Sequence, residues 1–138
     1  MFHNSCVLSS FVFITNAIVA IYVSEYIYGA LFAGLFITSI LFHTHTNIYT
    51  NLLDKCFVIS VILYGGYLLY QKVLQVKHVI QMILITGICL TFLTTIYLFG
   101  FGYIFKQYCF CDNNAQANLW HSYLHLVSSI GHHLILFL

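Results

Sequence analysis

A chain of 138 residues has the length of a single domain, here 1–138. Hydrophobic residues make up 62% of it and charged residues 5%, at a mean hydropathy of +0.96; a soluble surface needs about 25% charged residues, so an integral membrane protein is expected. Four Lys+Arg, all lysine, and a formal net charge of +1 leave no basic patch for nucleic acid.

The first apolar stretch, 7–24, lacks the basic start and small-residue cleavage site of a removed signal, so it reads as a retained membrane helix. A polar turn at Ser24-Glu25-Tyr26 leads to a second helix over 27–44, whose Gly29, Ala33 and Gly34 form a small-residue side suited to close packing. The segment from His43 to Asn47 ends it, and a third helix is expected over 52–71. After an interfacial turn with Lys72 and Lys77, the residues 79–105 carry no charge at all. At about 1.5 Å per residue they reach roughly 40 Å, enough for one tilted helix and too little for two crossings. A polar loop with Asp112, Asn113 and Asn114 precedes the closing helix, 117–138. The apolar runs are too long and continuous for barrel strands, so the fold class is all-α: a polytopic helix bundle with about five transmembrane helices. The five cysteines are odd in number and scattered, which is no disulfide framework. Cys109 and Cys111 could pair, ligate metal or carry an acyl chain, and loop thiols near an interface are the plainer reading.

Alternating crossings sort the polar residues by membrane face. The second helix ends where the third begins, so His43 and Asp54 share a face, and the fourth helix returns the chain there before the fifth begins. Ser39, one turn from His43, and His121 and His125, one turn apart, then collect with them in a layer roughly 10 Å deep. The lysines are tied between the two faces, so orientation does not follow from them.

Intramembrane histidines are expensive without a partner, and a metal supplies one. His43, His121 and His125 match the three-histidine donor set of a catalytic zinc site, whose fourth position holds water. Zinc lowers the pKa of that water towards about 7 and makes it a nucleophile. Asp54 is the acid placed to move the proton, and Ser39 could bond the water or a developing oxyanion. That combination points to hydrolysis of an amide or ester of a membrane lipid. Each residue also has a plain structural reading: serine bonding its own helix, aspartate at a helix start, histidines bonding neighbours. His132 shares the face of His125 but lies about 10 Å deeper; it and His133 are expected to make interhelical hydrogen bonds. Asn16 is expected to bond a neighbouring helix, His45 to point away from the site, and His3 and His78 to be interfacial.

The sequence Ser39-Ile-Leu-Phe-His43, then Asp54 eleven residues on, then His121-Ser-Tyr-Leu-His125, resembles the Ser-x3-His, Asp, His-x3-His signature of the CREST superfamily. That group includes alkaline ceramidases, progestin and adipoQ receptors, haemolysin-III-like proteins and the myomaker group. The resemblance covers roughly 16–54 and 118–138 and implies His43, His121 and His125 as zinc ligands, with Ser39 and Asp54 around the metal-bound water. It implies a zinc-dependent hydrolase of a ceramide-like lipid or phospholipid, or alternatively a non-enzymatic receptor or membrane-remodelling protein keeping zinc for structure. The family core has seven helices, and this chain has room for about five; an oligomer is one way to close the cavity. The acidic calcium-binding cluster of alkaline ceramidases has no counterpart before Glu25.

Overall fold

The computed structural model describes residues 4–138, with side chains from Ser5 onward; His3 lies outside the described residues. The first apolar stretch forms two helices, α1 (Asn4–Ser10) and α2 (Val12–Tyr22), interrupted at Phe11 where an unbroken 7–24 was expected. The cause is local. Ser9 and Ser10 both donate their hydroxyls back to the Cys6 carbonyl, at 3.0 and 2.8 Å. The Phe11 amide reaches only to Leu8, three residues back, at 3.2 Å. Serine back-bonding of this kind competes with the helix ladder and bends it. Ser24 then takes a left-handed φ of 67° to turn the chain.

The next helix is α3 (Tyr26–Thr44), followed by α4 (Ile48–Val73). α4 begins four residues before the expected 52 because Asn47 and Thr50 make a reciprocal cap. The Asn47 side chain accepts from the Tyr49 and Thr50 amides, both at 2.9 Å, and the Thr50 hydroxyl accepts from the Asn47 amide at 3.1 Å. Asp54 therefore sits in the second turn of α4, and the first turn carries no acid. Its presence there is not a helix-dipole effect, which fades beyond the first turn.

α5 (Val79–Ile96) runs on through a π turn, Tyr97–Phe101, into α6 (Gly102–Phe105). The rod stops where Lys106 takes a left-handed φ of 54°. Residues 79–105 are thus one continuous helical rod, which the alternation of faces requires. A 3-10 turn, Tyr108–Phe110, leads to α7 (Asn114–Phe137). Asn113 caps α7, its side chain accepting from Ala115 and Gln116 amides at 3.0 and 3.2 Å, so the helix opens three residues before 117.

The described residues form five helical rods, counting α1–α2 and α5–α6 as one each. Four stretches among them are long and apolar enough to cross a membrane: Ser5–Tyr22, Tyr26–Thr44, Ile48–Val73 and Val79–Phe110, the last including the turn after α6. The chain is a multi-pass, all-α membrane protein. α7 is also long, at 24 residues, but carries Asn, Gln, Ser and His along its length. It can do so because it packs against α1, α2 and α5 and reaches α4. In contrast, α4 buries only Val61, Gly65 and Leu68, and α5 only Ile88, leaving broad apolar faces for lipid. The core centres on Phe13, Tyr28 and Phe32, with Ile135 and Leu136 from α7. Two of the small residues on α3 do sit at contacts. A Cβ on Gly29 would lie 2.7 Å from Ile21, and one on Gly34 would lie 2.0 Å from the Phe57 ring, whereas Ala33 is exposed.

Candidate metal centre

The end of α3 and the beginning of α7 meet at one end of the bundle, and the histidines meet there with them. α3 contributes His43 from its last turn, and α7 contributes His121 and His125 from successive turns of one face. One ligand nitrogen from each ring lies within 4.8 Å of the others. The ring centroids are 5.1 Å apart for His43 and His121, 5.4 Å for His43 and His125, and 4.7 Å for the pair on α7. His43 and His125 are 8% and 7% exposed, and His121 is half-buried. Such a cluster could hold a metal ion. Three imidazoles without a carboxylate or thiolate suit zinc and its first-row neighbours rather than magnesium or calcium.

Asp54 stands outside the ligand cluster. Its carboxylate accepts from the Thr38 hydroxyl at 3.3 Å, across the α3–α4 interface. Ser39 is buried, at 1% exposure, and faces α1, where its oxygen lies 2.8 Å from the Ser10 oxygen. Either hydroxyl can donate in that bond, since the Ser10 oxygen also lies 2.8 Å from the Cys6 carbonyl oxygen, a second acceptor for its one hydrogen.

Sequence reasoning did not single out Ser9, whose hydroxyl oxygen lies 2.8 Å from the Nδ1 atom of His125. A serine on an apolar helix is ordinarily satisfied by its own backbone, and Ser9 does make that bond as well.

Deeper along α7 lies a second polar layer, which ties the helices together. The Asn16 amide donates to the Ser129 carbonyl at 3.0 Å and contacts the His133 ring at 2.9 Å, while Ser129 donates back to the Asn16 side-chain oxygen. His132 bonds the Tyr28 hydroxyl and packs edge-on against Phe32. Lys72 donates to the Leu136 carbonyl at 2.7 Å, joining α4 to the last turn of α7. His45 ends α3 in the exposed loop, where its carbonyl accepts from Thr50. His78 is the exposed N-cap residue of α5. All five cysteines are free thiols, Cys6 buried and Cys109 and Cys111 half-buried.

Fold and site together define a multi-pass helical membrane protein with a largely buried histidine triad that could hold a metal ion. No family model, curated protein or solved structure matches the chain.

Proposed function

We propose that this chain is a zinc-dependent intramembrane hydrolase that cleaves an amide or ester bond of a membrane lipid, ceramide-like or a phospholipid. The observation that carries the reading is the convergence of His43, His121 and His125 from two helices distant in sequence. Zinc supplies a Lewis acid that activates water at neutral pH. Asp54 is the proton carrier and Ser39 a hydrogen-bond partner of the water; the likeness to the CREST superfamily implies both around the metal-bound water. A bilayer location supports a lipid substrate, since an acyl chain can approach the exposed apolar faces of α4 and α5 without leaving the membrane.

One observation favours a second reading, a receptor or membrane-remodelling protein with structural zinc. Ser39 and Asp54 are both engaged in interhelical hydrogen bonds, to Ser10 and Thr38. Purified protein incubated with mixed ceramides and phospholipids, followed by mass spectrometry, separates the two. The hydrolase reading expects free fatty acid from the wild type and none from Asp54→Ala. Identical lipid profiles with zinc bound in both would leave the structural reading.

A further inference from the structure

We propose that Ser9 is the positioning residue that holds His125 in its Nδ1–H tautomer, and so leaves the Nε2 lone pair for the metal. The proposal rests on the triad being a metal site; its test separates the two.

The argument is a count of hydrogens. The Ser9 oxygen lies 2.8 Å from His125 Nδ1 and 3.0 Å from the Cys6 carbonyl oxygen. The single hydroxyl hydrogen of Ser9 is assigned to the Cys6 carbonyl, which can only accept. What Ser9 then offers Nδ1 is a lone pair, and the bond at 2.8 Å requires hydrogen on Nδ1. A neutral imidazole carries one ring hydrogen, so Nε2 is left as the basic nitrogen. Metal-ligating histidines are generally oriented in this way, by an acceptor on the ring nitrogen that does not face the ion.

The surroundings leave the ring little choice. His125 is 7% exposed and packs against Phe13 with centroids 5.0 Å apart, so the imidazole is flanked by an aromatic ring from the same broken helix. Cys6 accepts from both Ser9 and Ser10, which sends Ser9 to α7 and Ser10 to Ser39 on α3. Two consecutive serines of α1 thus reach the two helices that carry the triad.

The test uses the full chain in detergent micelles with nitrogen-labelled histidine, read by proton–nitrogen correlation spectra of the metal-free protein. His125 is expected as the Nδ1–H tautomer, with that preference lost in Ser9→Ala and restored in Ser9→Thr. Zinc titration against a competing chelator is expected to show affinity about 10- to 100-fold weaker in Ser9→Ala, returning in Ser9→Thr. Ser10→Ala removes the neighbouring back-bond and not the contact with His125, so tautomer and affinity stay as in the wild type. Hydrogen on Nε2 in the wild type would overturn the proposal and turn the contact into a serine donating to a histidine base. Loss of the tautomer in Ser10→Ala would overturn it too, by assigning the effect to the bend. A wild type that binds no zinc yet keeps a Ser9-dependent tautomer would remove the metal reading alone.

Discussion

His121 and His125 share a helix face, but neither completes a site without His43, because two imidazoles leave an ion half-coordinated. Replacing any one of the three with alanine is therefore expected to abolish tight zinc binding, from about one ion per chain to none, measured by elemental analysis after gel filtration. Ser39→Ala behaves differently. Its oxygen is bonded to Ser10, outside the ligand set, so on the proposed hydrolase reading the variant is expected to keep its zinc and show lowered turnover of a lipid substrate. Loss of metal in that variant would show Ser39 to be structural. The triad was legible in the sequence because histidine pairs at helical spacing and alternating crossings are both readable from residue order. Ser9 was not, because nothing in an apolar helix distinguishes a serine that bonds only its own backbone from one that also reaches a neighbour. The break at Phe11 was not legible either, since no glycine or proline announces it.

Among the elements, the contact of α5 with α7 depends on a glycine. A Cβ added at the buried Gly131 would lie 2.5 Å from the Thr91 hydroxyl and 3.2 Å from its Cβ. Thr91 is held by its own bond to the Ile88 carbonyl at 2.8 Å, so the helices must part to admit the methyl group. Gly131→Ala is expected to cost about 1–3 kcal/mol, seen as a lower midpoint in thermal unfolding in detergent. Gly66→Ala, where an added Cβ meets nothing within 4 Å, should be neutral or slightly stabilising by the same assay. The network of Asn16, Ser129 and His133 gives a further expectation. Asn16→Ala strands groups that are buried in the bundle and lowers stability by about 1–3 kcal/mol in that measurement. The helices themselves were legible from their apolar runs, and their starts were not. α4 and α7 begin early because Asn47 and Asn113 cap them, a signal present in the sequence but outweighed by hydropathy. The π turn at Tyr97–Phe101 has no residue signature to read.

For the whole molecule, the meeting of His43 with α7 requires the loops before α4 and before α7 to share one membrane face. Single-cysteine reporters in an otherwise cysteine-free chain check this. Thr46→Cys and Asp112→Cys are expected to react with a membrane-impermeant thiol reagent from the same side, and Gln75→Cys from the other. Labelling of the first two from opposite sides would break the bundle as described. The count of rods was legible because each apolar stretch is bounded by polar turns. The central place of α7 was legible from its histidine pair, which needs a partner on another helix, whereas the particular helices it packs against, α1, α2 and α5, were not.

That composition of α7 has a consequence for how the protein is made. Four rods have enough apolar character to leave the insertion machinery for lipid on their own, whereas α7 brings histidine, asparagine and serine that lipid does not solvate. Its residence in the membrane depends on the polar partners already waiting on α1, α2 and α3. An insertion reporter fused after α7 should show integration when residues 1–113 precede it and little when α7 is presented alone. The histidine triad then comes into being only once α7 has joined the bundle, so a chain with just the first four rods inserted carries no finished site.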